Sequence, residues 1–412
     1  MPASNIRIDG ERLWSTLMET ARFGATELGG LKRLTLTDED KQVRDWFRAA
    51  CADAGCAVAI DEMGSIFARR AGSDSTAAPI LFGSHLDTQP TGGKFDGILG
   101  VLAGLEVMRT LNAFGYLTRH PLEVVDWTNE EGSRFAPAMV ASGVFGGAFT
   151  RDFAWSRTDR DGVGFGDALA RIGYRGDVPC GGRRPAAYFE LHIEQGPILE
   201  AARETIGVVT GIQGIKWVDI TVTGQASHSG TTPMPVRRDA LVAAAKIVKL
   251  ANEIAERHAP NARATVGRFE VAPNSRNVVP GAVQLTVDIR HPEADTLAAM
   301  HATLLEEARR SASPLSITFE TVNDSPPIAF DPICIAAVRE AAARLQLPSR
   351  EMVSGAGHDA AYVARVCPTG MIFIPCEGGL SHNEIENATF ADVEAGAQVL
   401  LEAILAADQR LP

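Results

Sequence analysis

At 412 residues, with 45% hydrophobic and 22% charged side chains, the chain has ordinary globular composition and length enough for two or three domains. Its net charge of −12 argues against a nucleic-acid or anionic-membrane surface, while leaving room for an anionic small-molecule substrate met by one arginine. The first thirty residues lack the apolar core of a secretory signal and no apolar run approaches the roughly 18 residues of a membrane span. The six cysteines show no CxxC pair and read as reduced thiols of a cytoplasmic protein.

In chain order, Thr37-Asp-Glu-Asp40 forms a capping box, and Val43, Trp46, Phe47 and Ala50 follow at helical spacing. Short strand-like runs come next at 57–60, 65–69 and 80–82, then a largely buried helix over 98–113 and a strand over 122–127. Residues 151–185, rich in Gly, Arg and Asp, read as loops with one short helix, and 188–191 as a strand. This alternation predicts an α/β layer fold with a mainly parallel sheet. Near residue 213 the texture changes. A strand over 216–223, a helix over 239–258, strands over 265–271 and 283–290, a helix over 294–310 and a strand over 315–322 make a β-α-β-β-α-β unit of the ferredoxin-like kind. After Pro326-Pro327 the earlier style returns, with a helix over 331–345, a strand over 371–374 and a last helix capped at Thr389. The expected organisation is a discontinuous domain of residues 1–212 and 329–412, interrupted by an inserted α+β domain of residues 213–328.

Four of the predicted strands end in possible ligands. The run 80–82 exits into Ser84-His-Leu-Asp87, followed by Asp96; 122–127 exits into Thr128-Asn-Glu-Glu131; 188–191 into His192-Ile-Glu-Gln195; and 371–375 into Cys376-Glu-Gly-Gly-Leu-Ser-His382. Singly, each has an ordinary explanation as a turn, a solvated loop or a hydrogen-bonded surface histidine. Together they deliver imidazoles and carboxylates to the edge of an α/β sheet where ligands bind. His and carboxylate ligands without Cys suit Zn²⁺, Mn²⁺ or Co²⁺ rather than a structural zinc clamp. Two metals sharing a bridging carboxylate would jointly activate a water. Of the neighbours Glu130 and Glu131, one can bind metal while the other serves as general base. Asp87 lies two residues after His85, on the same side if that step is extended, and so suits an orienting role toward the imidazole. The Gly-rich 162–166 follows no apolar strand and is not a nucleotide loop.

These residues resemble the hydantoinase/carbamoylase branch of the dinuclear metal amidohydrolases, relatives of the aminoacylases and zinc exopeptidases. The branch includes N-carbamoyl-L-amino acid hydrolases, β-ureidopropionases and allantoate amidohydrolases. The resemblance runs through "GSHLDTQPTGGKFDGILG", "TNEEGSRF", "HIEQGPILE", "ASHSGTTPM", "RRDAL", "NVVPG", "DIR", "SGAGHDA" and "GGLSHNE", nearly the whole chain. It implies that His85, Asp96 and His192 hold one metal, and that Asp96, Glu131 and His382 hold the other, with Asp96 bridging. It implies Glu130 as the base and Asp87 as the orienter of His85. It further implies a homodimer formed by the inserted dimerisation or lid domain, with His228 reaching a neighbouring subunit's site to steady the oxyanion. Gln195, Asn277 and Arg290 match substrate-binding positions, with Arg290 meeting the substrate carboxylate, and Gly355 and Gly357 match a pocket-lining loop. The implied cofactor is two divalent ions per subunit, zinc first, with manganese, cobalt or nickel as alternatives. The implied reaction is hydrolysis of an N-carbamoyl amino acid to the amino acid, CO₂ and ammonia. Rivals are an allantoate amidohydrolase, an N-acyl amino acid deacylase or dipeptidase on the same scaffold, and, in a different class, a metal-dead binding protein.

Overall fold

Four runs dominated by Val, Ile, Leu and Phe become strands in which every residue is buried: Ile80–Ser84, Leu122–Asp126, Ala187–Ile193 and Thr369–Ile374. The computed structural model, which describes residues 5–411, places them side by side and parallel in the order 122–126, 80–84, 187–193, 369–374. Burial on both faces is what such continuous apolar runs require. Because all four run the same way, their carboxyl ends leave the sheet at one edge. The parallel character stops there. Ile66–Arg70 and Ala57–Ile60 extend one side antiparallel, and Ile206–Ile212 extends the other antiparallel to Thr369–Ile374.

Helices cover this sheet for reasons visible in the chain. Thr37 caps Asp38–Asp53 by accepting the Asp40 N–H, and Thr389 caps Phe390–Arg410 by accepting the Asp392 N–H. Ile98–Ala113 is apolar nearly all round and correspondingly buried. The Gly-rich stretch after residue 150 holds two short helices, Arg151–Trp155 and Phe165–Ile172, where one was expected. The helix Gly10–Thr20, capped by Asp9, and the strands Ile206–Ile212 and Ser349–Ser354 have no counterpart in the sequence reading.

The chain divides into two compact units, one running to Thr210 and resuming at Phe330, the other spanning Gly211–Ala329. The second unit carries Gly214–Thr223, Ala240–Arg257, Arg263–Ala272, Ala282–His291, Ala294–Ala312 and Ser316–Ser325 as strand, helix, strand, strand, helix, strand. Its four strands form an antiparallel sheet with 214–223 and 282–291 at the centre. Alternate residues Val218, Ile220, Val222, Val283, Leu285 and Val287 pack in a core with Ile247, Ile254, Met300 and Leu304 of the two helices. Among the described residues no helix is long and apolar enough to cross a membrane.

Candidate metal centre

The shared edge of the four parallel strands is where the ionisable side chains gather. Asp96 stands in the middle. Its Oδ1 lies 3.1 Å from His192 Nε2 and 3.8 Å from His85 Nε2, and its Oδ2 lies 3.4 Å from His382 Nε2. Glu131 Oε2 lies 3.5 Å from the same His382 nitrogen. Two groups of three result, His85–Asp96–His192 and Asp96–Glu131–His382, each with ligand atoms within 4.8 Å of one another. The first is buried, whereas the His382 side chain is half exposed. One oxygen of Asp96 faces each group, which is the disposition a bridging carboxylate needs.

The residues fit divalent cations on the chemistry of their lone pairs. His85 Nδ1 lies 2.9 Å from the Asp87 carbonyl, and His192 Nδ1 lies 2.9 Å from the Ile193 carbonyl. A carbonyl only accepts, so each Nδ1 carries a proton, and in the neutral ring each Nε2 would then present a lone pair to the Asp96 carboxylate. Facing lone pairs in a buried space call for a cation between them. Burial pushes His85 down to about 4, the neutral form a metal takes. Burial also opposes charge on His192, but the Asp96 carboxylate raises that imidazole to about 9, its proton standing in for a cation. The Gly97 N–H, 3.2 Å from His192 Nε2, favours the neutral ring. Gly97 itself has φ +69, and a Cβ there would come within 2.2 Å of the His85 ring. Only glycine leaves room for that imidazole.

Glu130 and Glu131 diverge because the turn that carries them is left-handed at its start. Asn129 has φ +63 and is held there by its Nδ2, which donates to the Phe135 carbonyl at 2.9 Å. Glu131 accepts from Gln89 twice, from N–H at 3.0 Å and Nε2 at 2.6 Å, which turns it toward His382. Glu130 Oε2 stands 3.6 Å from His85 Nε2, beside the first group. Burial first, then the charges of Asp359, Glu131, Asp87 and Asp96, hold its carboxyl well above the ordinary range. A carboxyl so shifted holds a proton more tightly than an exposed glutamate does.

Asp87 meets His85 through its backbone more closely than through its carboxylate. Its backbone carbonyl orients His85, while its carboxylate is 3.8 Å from His85 Nδ1. That carboxylate instead accepts the Glu130 N–H at 3.2 Å. The Asp87 side chain thus also braces the backbone of Glu130. Gln195 points its Nε2 at Asp96 Oδ2, 3.0 Å away. Gly355 and Gly357 precede His358, whose ring centroid is 4.6 Å from that of His192. The sequence reading overlooked Gln89, Ser381 and Glu386. The Ser381 hydroxyl lies 3.0 Å from Asp96 Oδ2 and 2.9 Å from Glu386 Oε2, with one proton to give to either, and Glu386 accepts the Phe95 and Asp96 N–H groups. Gln89 and Ser381 lie inside the motifs "GSHLDTQPTGGKFDGILG" and "GGLSHNE", and Glu386 two residues beyond the second.

The remaining predicted residues belong to the other unit. His228 and Asn277 are neighbours, the Ser229 N–H donating to the Asn277 carbonyl at 2.9 Å. His228 Nδ1 accepts the N–H groups of Gly230 and Thr231 at 3.0 and 3.2 Å, so its exposed ring carries the proton on Nε2, a donor. Arg290 is forked onto Asp288, with 2.8 Å between Nη2 and Oδ2.

Residues 81–406 match the sequence profile of Peptidase family M20/M25/M40. The chain is 49% identical over 406 residues to an N-carbamoyl-L-amino-acid amidohydrolase of Rhizobium meliloti, covering 98% of each protein. It is 33% identical to an allantoate amidohydrolase of Bacillus subtilis strain 168, covering 93% of this chain and 94% of that one. The crystal structure of an amidase of the hydantoinase/carbamoylase family from Burkholderia multivorans superposes with a TM-score of 0.96 at 57% identity, covering 99% of this chain and 100% of that one. The agreement extends from end to end and includes every strand that brings a ligand to Asp96, and on it the chain belongs to the M20/M25/M40 family, with hydantoinase/carbamoylase amidases among its relatives.

Proposed function

We propose that this protein hydrolyses the carbamoyl amide of an N-carbamoyl amino acid, releasing the amino acid, CO₂ and ammonia. The observation that carries the reading is Asp96 shared between two ligand groups with Glu130 beside one of them. Similarity at 49% identity to an N-carbamoyl-L-amino-acid amidohydrolase supports the substrate class. His85, Asp96 and His192 would hold one divalent ion, zinc first, and Asp96, Glu131 and His382 a second. Ions bound there supply Lewis acidity, which lowers the pKa of a water and polarises an amide carbonyl. Glu130 accepts the proton of the attacking water and delivers it to the nitrogen that leaves as the C–N bond breaks. The carbamate released falls to CO₂ and ammonia. Asp87 fixes the backbone of Glu130, and Gln89 fixes the carboxylate of Glu131.

The inserted unit acts in this reading as the dimerisation and lid domain of a cytoplasmic homodimer. His228, donor at Nε2, steadies the developing oxyanion of a partner subunit's substrate. Arg290 exchanges Asp288 for the substrate carboxylate, an Arg fork being the natural partner of that group. Asn277, Gln195, Gly355 and Gly357 line the substrate.

A release assay across N-carbamoyl-L-amino acids, N-carbamoyl-β-alanine, allantoate and N-acetyl amino acids tests the proposal. Amino acid and ammonia from one of the first two are expected. Similarity to an allantoate amidohydrolase supports the second reading, which wins if allantoate alone is turned over. Inertness toward all four classes refutes both.

A further inference from the structure

Behind the segments that carry His85 and Glu130 lies a set of charges with no direct part in the reaction. Arg33, Asp40, Arg44 and Asp126 have no exposed surface, and Asp87 almost none. Asp40 and Arg44 are four apart on the helix Asp38–Asp53, with Arg44 Nε donating to Asp40 Oδ2 at 2.7 Å. From there Arg44 Nη1 reaches Asp126 Oδ2 at 3.2 Å, the Gly64 carbonyl at 3.0 Å and the Thr128 hydroxyl at 3.3 Å. The other oxygen of Asp126 accepts the Leu86 N–H at 3.0 Å, and Arg33 Nε donates to the Leu86 carbonyl at 2.7 Å. Leu86 is the residue between His85 and Asp87. Thr128 opens the turn that carries Glu130 and Glu131. A single guanidinium thus ties the segment bearing one ligand to the segment bearing the base and another ligand.

Stability does not account for such a cluster. Buried ion pairs often do no better than apolar side chains of the same volume, because desolvation offsets their attraction. What directed hydrogen bonds supply, and apolar packing does not, is a fixed position for the backbone groups they hold. Residues behind a metal ligand act in this way on its orientation and affinity.

We propose that Arg44 is a positioning residue for the metal centre, setting the distance between the His85 and Glu130–Glu131 segments through Asp126 and Thr128. The proposal rests on the ligand and base roles given above. Two variants of the full-length protein test it. Arg44→Lys keeps the charge and loses the planar fork, and Asp126→Asn keeps an acceptor for the Leu86 N–H and loses the charge. Each is loaded with Co²⁺ and followed by d–d absorption, alongside kcat, KM and thermal unfolding.

The expected result is Co²⁺ binding weakened about 10–100-fold, altered absorption bands, and kcat at saturating metal down about 10-fold or more, with KM within about twofold. A role confined to the fold would lower the unfolding temperature alone. A folded Arg44→Lys protein with wild-type spectrum, affinity and kcat therefore overturns the proposal. If Arg44→Lys fails to fold, Asp126→Asn carries the same expectation and the same refutation. Wild-type protein that takes up no Co²⁺ overturns the metal reading and this proposal with it, an outcome seen before any variant is made.

Discussion

Glu130 and Glu131 are adjacent carboxylates with different neighbours, and exchanging each for glutamine separates their work. Glu131→Gln removes one of three ligands from the second group and disturbs the two hydrogen bonds from Gln89. At a metal concentration of about 1,000 times Kd, one site stabilises the folded state by about 4.1 kcal/mol. Weakening that site about 100-fold, the upper end for perturbing even an outer partner of a metal, leaves about 1.4 kcal/mol, a loss of about 2.7 kcal/mol. The unit that holds the site has about 290 residues. At about 2.1 cal/mol/K per residue its unfolding entropy is about 0.6 kcal/mol/K, so the metal-induced rise in Tm should shrink by about 4 °C. Glu130→Gln leaves both ligand groups intact, so its metal-induced rise should match the wild type while kcat falls about 10²–10⁴-fold. Thermal unfolding with and without metal, paired with a turnover assay, reads both quantities. If Glu130→Gln forfeits the metal-induced rise and Glu131→Gln keeps it, the two roles are reversed.

Exhaustive chelation should abolish activity, and divalent metal should restore it at about two ions per chain; full activity with no metal detectable by elemental analysis contradicts the site. Asp87→Asn should retain wild-type metal content, because the carbonyl of residue 87 holds His85, and loss of metal would return that duty to the carboxylate. In the metal-free protein burial pushes the Asp87 carboxyl up to about 8. The folded state then binds the proton more tightly than the unfolded one, so stability falls as pH rises from about 4 to about 8. Asp87→Asn should remove one carboxyl's share of that slope, to which the raised Asp126 and Glu386 also contribute, and an unchanged pH profile of Tm contradicts the assignment. Subunit exchange between inactive Glu130→Gln and His228→Ala dimers should recover about a quarter of wild-type activity, since random pairing makes half the dimers mixed with one whole site each. Verified exchange without recovery rules out His228 acting across subunits.

The candidate ligand groups were readable in the sequence because a parallel sheet turns chain order into spatial order. Each of the four strands announces itself as an apolar run, and each ends in its His, Asp or Glu. Once the strands run the same way, those ends meet without further information. The inserted unit was readable for a related reason: its period-2 strands and long helices alternate in a recognisable order, and the antiparallel sheet places them accordingly. Caps at Thr37 and Thr389 are local hydrogen bonds between residues three apart, and so lie wholly within the sequence.

What escaped the reading depends on backbone direction and on contacts between distant segments. The spacing of His85 and Asp87 puts their side chains together only if the step between them is extended, and the structure spends the Asp87 carbonyl, not its carboxylate, on the histidine. Gln89 and Glu386 look like loop residues until the turns bearing Glu131 and Asp96 are folded against them. Arg44 is the extreme case. Its helix reads from Val43, Phe47 and Ala50 as an ordinary amphipathic one, and Asp40 reads as part of a capping box. The Thr37 half of the box holds, its hydroxyl accepting the Asp40 N–H, but the Asp40 carboxylate accepts the Leu36 N–H and not that of Thr37. Yet the Asp40 carboxylate also receives Arg44, and Arg44 reaches Asp126, 82 positions further along the chain. A charge on the buried face of a helix is costly enough that it needs a partner, and the partner's identity is decided by the sheet that the helix covers. Periodicity reports that a face is buried. It does not report that the face is wired to a reaction centre, and it is this wiring that the Arg44→Lys comparison measures.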